Sequence, residues 1–298
     1  MEAGILINVL TPAVLAMIML GMGMSLTTGD FSRIARFPKA ALVGLTGQLL
    51  VLPVLGFLLV VAFEPPPEMA VGLMILAFCP GGATSNILSY LARADTALSV
   101  TLTAVSSFVT PLTVPFLVNA ALSHFMGQES AVLLPIGSTL LQILMITVLP
   151  ISLGIVINHY APHWCRRAEG PVKVLGMGFL VMLTAGITWN ERNNLPTLLA
   201  DAGLLTASLC ASSYVIAFVA STLTKLPYRQ KASVCIEVGM QNANLAMVIT
   251  TSILQNTQMA VAPAVYAVMM FGFGWPMVFW FNRHISAQEA QAASEPQA

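Results

Sequence analysis

Residues 69–92 read MAVGLMILAFC (69–79), PGGATSN (80–86) and ILSYLA (87–92): an apolar run, a polar helix-breaking insert, and a second apolar run. A helix rises about 1.5 Å per residue and a bilayer's hydrocarbon core is about 30 Å thick, so roughly 20 apolar residues are needed to cross it. Neither flank reaches that length alone. The same break recurs at 232–254, where ASVCI (232–236) is followed by EVGMQNAN (237–244) and LAMVITTSIL (245–254). Unpaired backbone polar groups are costly in hydrocarbon, so a broken helix is tolerated only where protein encloses it or where it lines an ion- or water-filled site. Two interrupted helices at corresponding places in two halves of a chain point to a transporter's binding site.

The rest of the chain agrees with a membrane protein. Its 298 residues are 57% hydrophobic and 8% charged, against about 25% charged in soluble domains, and mean hydropathy is +0.84. Twelve basic residues balance twelve acidic ones, which excludes a basic nucleic-acid footprint and an acidic disordered tail. Charge-free runs predict an all-α, polytopic fold of nine transmembrane helices, near 5–26, 39–62, 69–92, 96–119, 131–157, 172–190, 201–223, 232–254 and 260–282. With the N-terminus outside, eleven of the twelve basic residues fall in cytoplasmic loops, and only Arg192 falls outside. The positive-inside rule therefore predicts N-out, C-in. MEAGILINVL at the start lacks the basic region and cleavage site of a secretory signal, so the first span is expected to be retained. Residues 285–298 are expected to form a disordered cytoplasmic tail. The breaks lie in the third and eighth spans, an odd separation that gives them opposite membrane orientations, as in an inverted repeat.

Glu237 is the sharpest single residue. Apart from Asp201 at a span end, it is the only acid inside a predicted span, and burying a carboxylate there costs at least about 2.5–3.5 kcal/mol. No lysine or arginine is predicted at that depth. Its charge must be met by a bound cation, a proton or hydrogen bonds. Neutral oxygens are available from Ser85, Asn86, Ser99, Thr103, Gln48, Gln241 and the freed carbonyls of the break. Ser99 and Thr103, four apart, share a helix face. Histidine and cysteine are missing from this set, which favours a hard cation over a transition metal. A cage with one carboxylate suits sodium better than calcium; protonation of Glu237 stays open beside it. The four cysteines show no CxxC pairing and read as packing residues. No Gly-x-Ser-x-Gly elbow, His-Glu-x-x-His helix or aspartate pair falls within a span, so an enzyme is not expected.

CPGGATSNILSYLARADTALSVTLTAVSSFVTPLTVPFLV (79–118) and EVGMQNANLA (237–246) closely resemble the bile acid:sodium symporter family. GMGMSL at 21–26, Gln48 and LPY at 226–228 agree, and the resemblance runs from about residue 11 to 282. It implies one transporter domain over 1–284, built from inverted repeats in the nine-helix (4+5) form, in which two discontinuous helices cross. A panel of helices 5–26, 131–157 and 172–190 would rock against a core of 39–62, 69–92, 96–119, 201–223, 232–254 and 260–282. Carried over residue by residue, one sodium ion would be held by Ser85, Asn86, Ser99, Thr103 and Glu237. A second would be held by Gln48, Glu237, Gln241 and the carbonyls of Val238 and Met240. Substrate would meet Asn242, with Ala83, Thr84, Phe271 and Gly272 at aligned positions. Where some bacterial relatives carry threonine after Gly-Gly and a His-Asn pair in the last span, this chain has Ala83 and Phe271-Gly272. The implied activity is sodium-coupled symport of an organic anion across a bacterial inner membrane by alternating access. The cargo class runs from bile acids to small 2-oxo and hydroxy acids such as pantoate and pyruvate, with the small acids favoured. A proton-coupled carrier or exporter of the same fold is the alternative.

Overall fold

The structure is a computed structural model and describes residues 11–127, 134–190 and 195–294. Among these every regular element is helical. Proline opens several of the helices and left-handed residues close others, as the missing N–H of proline and the loose geometry of a helix end allow. The helices are α1 (Thr11–Met24), α2 (Thr28–Ser32), α3 (Pro38–Phe63), α4 (Pro67–Phe78), α5 (Thr84–Leu91), α6 (Thr96–Phe125), α7 (Ile136–Tyr160), α8 (Pro162–Asn190), α9 (Leu195–Leu223), α10 (Tyr228–Gly239), α11 (Ala243–Ile253) and α12 (Val261–Ser294). Glu64, Arg93, Lys225 and Gln255 take positive φ at or just past the ends of α3, α5, α9 and α11.

Six of these helices are long and apolar enough to cross a membrane, or seven if α1 and the segment bent from it by 72° count as one span. That is fewer than the nine expected, because each broken span is split into halves too short to cross alone. On α3 and α7, Leu42, Leu50, Val54, Leu58, Leu141, Met145 and Leu153 point outward, an apolar surface suited to lipid. The chain is an integral membrane protein.

The two broken pairs, α4–α5 and α10–α11, sit in the middle of the bundle. Every side chain from Met69 to Phe78 is buried, as is every one from Lys231 to Gly239. Gly81 and Gln241 pair as an isolated antiparallel bridge. Gly82 N–H donates to the Met240 carbonyl (2.8 Å), and Asn242 N–H donates to the Pro80 carbonyl (3.0 Å). Each break thus satisfies backbone groups of the other, which is how irregular chain survives at membrane depth. Around this crossing α3, α6, α9 and α12 pack closely, while α1 packs against α7 and α8.

Three expectations are corrected. Residues 285–294 continue α12 as helix instead of forming a disordered tail. AQEAQAAS is rich in good helix formers, and Glu289 is held by Arg93 (2.8 Å) and Arg229 (3.7 Å). The sixth span, expected from 172, begins at Pro162, so Arg166 and Arg167 lie in its first turns and only Ala161 separates it from α7. Proline at the first position suits a helix start, and basic side chains can extend toward headgroups from the end of a span. The fourth span, expected to end at 119, runs to Phe125. There Asn119 Nδ2 donates to the Leu134 carbonyl and Leu134 N–H donates to Asn119 Oδ1 (2.9 and 2.8 Å). The start of the first span, Arg192 and the Asp201 side chain lie outside the described residues.

α1 and α7 touch backbone to backbone. A Cβ on Gly154 would overlap the Leu20 carbonyl and the Met24 nitrogen, and one on Gly23 would overlap the Ile151 carbonyl. Gly154→Ala is therefore expected to destabilise the protein by about 1–3 kcal/mol, because the obstruction is main chain and cannot rotate away. Melting of the detergent-solubilised protein checks this, with Gly137→Ala, which faces open space, as the neutral comparison.

Candidate functional site

Glu237 lies in the last turn of α10 and is 1% exposed. Its carboxylate accepts from three hydroxyls. Thr103 donates to Oε1 at 2.6 Å, and Ser85 and Ser99 donate to Oε2 at 2.7 and 3.3 Å. Ser85 comes from the first turn of α5, just past the first break, while Ser99 and Thr103 stand one turn apart on α6, whose N-terminus is capped by Asp95. Asn86 Oδ1 lies 2.9 Å from Ser99 Oγ and 3.4 Å from Thr103 Oγ1, an alternative acceptor for the same two protons. Ser89, one turn beyond Ser85, adds its hydroxyl by donating to Ser99 Oγ at 3.1 Å. One carboxylate is thus ringed by neutral oxygens, with no lysine or arginine hydrogen-bonded to it among the described residues.

The second oxygen cluster lies where α3 meets the crossing. Gln48 sits in a π-helical turn, Gly47–Val51, of α3. Its Nε2 donates to the Cys79 carbonyl (2.9 Å) and to Gln241 Oε1 (2.7 Å), and Gln241 Nε2 donates to the Val238 carbonyl (2.7 Å). The Met240 carbonyl takes the Gly82 N–H. Glu237 is thus hydrogen-bonded to Ser85, Ser99 and Thr103, while Gln48, Gln241 and the Val238 carbonyl are joined to one another. No group of three or more His, Cys, Asp or Glu side chains that could hold a metal occurs among the described residues. Such a site suits a hard monovalent ion, which neutral oxygens and one carboxylate can replace water around.

A cavity of about 610 Å³ opens beside the crossing. One wall is the crossing itself, with Gly82, Ala83, Thr84, Asn86, Gln241, Asn242 and Asn244. The opposite wall is apolar and comes from α1 and α8, with Ile18, Met19, Met22 and Leu180 among its residues. Asn242 caps α11, its Oδ1 accepting from the Leu245 N–H (3.1 Å). Asn244 Oδ1 has no hydrogen-bond partner among the described residues. Ala83, Thr84 and Asn242, expected at the substrate, line this cavity. Phe271 and Gly272 do not; Met270 does, because one residue along a helix turns a side chain by about 100°.

Ser89, Asn244 and the α1 and α8 wall escaped the sequence reading. Ser85 and Ser89 are four apart and Asn242 and Asn244 two apart, signals that could have found the first two. The apolar wall gives none, since lipid-facing and cavity-facing leucines look alike in sequence.

The sequence profile described as the Sodium Bile acid symporter family matches residues 12–197, more than half of the chain. The chain is 27% identical over 284 residues to YocS, an uncharacterized sodium-dependent transporter of Bacillus subtilis, with 94% of this chain and 85% of that protein covered. It is 32% identical over 261 residues to the probable sodium/metabolite cotransporter BASS1, chloroplastic, of Oryza sativa, covering 86% of this chain and 62% of that protein. It is 32% identical over 254 residues to the human sodium/bile acid cotransporter 4, covering 82% of this chain and 56% of that protein. The chain thus spans less than two thirds of the rice and human proteins.

Proposed function

The chain belongs to the sodium bile acid symporter family, a family of transporters and not of enzymes, and we propose that it carries an organic anion together with two sodium ions. The observation that carries this reading is the shared wall: Asn86 and Gln241 belong to the oxygen clusters and also line the cavity. One ion would sit among Ser85, Asn86, Ser99, Thr103 and Glu237. The other would sit among Gln48, Glu237, Gln241 and the carbonyls of Val238 and Met240. Both share Glu237, so two positive charges meet one buried carboxylate and leave a net charge of one for an anion.

The cavity supports the same arithmetic. Among the described residues lining it there is no lysine, arginine, aspartate or glutamate. A carboxylate there would be met by the amides of Asn242 and Asn244, the N–H groups at the starts of α5 and α11, and the field of the ions behind them. Sodium then raises anion affinity, and the anion raises sodium affinity by the same factor. The volume is within the usual range for small-molecule sites and admits a steroid acid or a small hydroxy acid, so the cargo is proposed as a class: a monocarboxylate with an apolar body. The two broken spans, α1 and the remaining long helices give nine crossings in this reading, with the N-terminus outside and the C-terminus in the cytoplasm of a bacterial cell. α1, α7 and α8 would form the panel that rocks against the crossing.

Uptake into proteoliposomes tests the reading, with bile acids, pantoate, pyruvate and other 2-oxo acids as cargo. Accumulation of at least one is expected with external sodium and not with potassium or choline. Uptake that follows pH and ignores sodium would replace it with the proton-coupled alternative.

A further inference from the structure

Three successive carbonyls lose their helical partners where α10 stops. In a continuing helix Val238, Gly239 and Met240 would accept from the N–H groups four residues on. Instead Asn242 N–H goes to the Pro80 carbonyl and Ala243 N–H to the Gln241 carbonyl. Each freed oxygen is then taken by a different part of the molecule. Val238 accepts from Gln241 Nε2 (2.7 Å), Met240 from the Gly82 N–H (2.8 Å), and Gly239 from the hydroxyl of Tyr266 (3.0 Å).

Tyr266 is fully buried on α12, which packs against α9. The ring of Tyr214, on α9, lies against Gly239 so closely that a Cβ there would overlap it. Tyr214's own hydroxyl is buried and has no hydrogen-bond partner among the described residues. The two tyrosines therefore stand behind the break in different roles, one donating a hydrogen bond and one only filling space.

We infer that Tyr266 is a positioning residue for the second cation, a conclusion that rests on the sodium-coupled reading above. Gly239 has the least restricted backbone in this segment, and its peptide plane is the one most free to turn. The Tyr266 bond holds the Gly239 carbonyl toward α12. The oxygens on either side, Val238 and Met240, are left toward Gln241 and Gly82, where the ion would be. Without the hydroxyl the Gly239 carbonyl is a buried acceptor with no donor, and the peptide turns to find one, carrying its neighbours out of register.

The test is a sodium titration of the melting temperature in lipid nanodiscs, using sodium alone as the ligand, for wild type, Tyr266→Phe and Tyr214→Phe. A ligand that binds the folded state raises its stability by mass action. Tyr266→Phe is expected to raise the sodium concentration for half effect about tenfold, equivalent to about 1.4 kcal/mol, whereas Tyr214→Phe keeps the wild-type value. A Tyr266→Phe protein that melts lower without sodium yet titrates like wild type would make the residue merely structural and overturn the inference. If that variant does not fold, a fluorotyrosine at 266, a stronger donor of nearly the same shape, is expected to lower the half-effect concentration; an unchanged value overturns the inference. A wild type that ignores sodium would instead remove the coupled reading itself, so the two failures are distinguishable.

Discussion

Glu237→Ala is expected to abolish sodium-driven uptake and sodium-dependent stabilisation while leaving a folded protein in the membrane. The carboxylate is the one charged side chain in the oxygen clusters, shared by both proposed ions. Its loss should cost sodium binding about 3 kcal/mol or more, a change on the order of a hundredfold. Folding survives because the hydroxyls that bond Glu237 have other acceptors. Once the carboxylate is gone, Thr103 can donate to the Ser99 carbonyl (3.1 Å), Ser99 to Asn86 Oδ1 (2.9 Å) and Ser85 to Thr103 Oγ1 (3.4 Å). Removing a buried charge also removes the cost of burying it. Glu237→Gln separates charge from shape, since it keeps the volume and an acceptor oxygen but not the charge; it should fail as Ala does. Sodium titration of melting and sodium-gradient uptake measure both variants. Near-normal sodium dependence in either would sink the assignment of Glu237.

Gly81→Ala should be nearly as damaging, for a steric reason. A Cβ at Gly81 would overlap Oε1 of Glu237 and crowd its carboxyl carbon, in a backbone that is also bridged to Gln241. The carboxylate must move away from Thr103 or the crossing must open, and either loses the ion site. We expect loss of sodium-dependent uptake and about 1–3 kcal/mol of stability. Gly137→Ala on α7, whose Cβ would meet nothing within 4 Å, is the control. Wild-type uptake by Gly81→Ala would mean that the observed closeness of the first break to Glu237 has no part in transport.

Much of this was legible in the sequence, because a bilayer imposes harsh rules. Two apolar runs each interrupted by a polar insert, such as MAVGLMILAFC followed by Pro-Gly-Gly, point to broken helices, and the structure has α4 end at Phe78 and α5 begin at Thr84. The lone acid at membrane depth identified Glu237 for the same reason, since its burial cost demands a compensating group. Helix ends were read less well. Residues 285–294 lack the apolar signal of a span, and their polar composition fits a disordered tail as well as it fits the alanine-rich helix that Glu289 ties down. The last-span positions Phe271 and Gly272 fall one and two residues past the cavity-lining Met270. In a helix apolar all round, no periodicity marks the inner face.

By itself the sequence determined that the chain lives in a membrane, where its two helices break, and which carboxylate must be neutralised. These follow from local chemistry and the cost of polar groups in hydrocarbon, which every stretch of chain meets on its own. Only the tertiary structure decided what meets that carboxylate. Ser85, Thr103 and Glu237 lie on three helices, and the pairs Ser85–Glu237 and Thr103–Glu237 are 152 and 134 residues apart. The reciprocal bonds of Gly82 and Asn242, and the hydroxyl of Tyr266 on Gly239, likewise join distant segments. A freed carbonyl requires some donor, but composition cannot say which one; that choice is made when the helices pack.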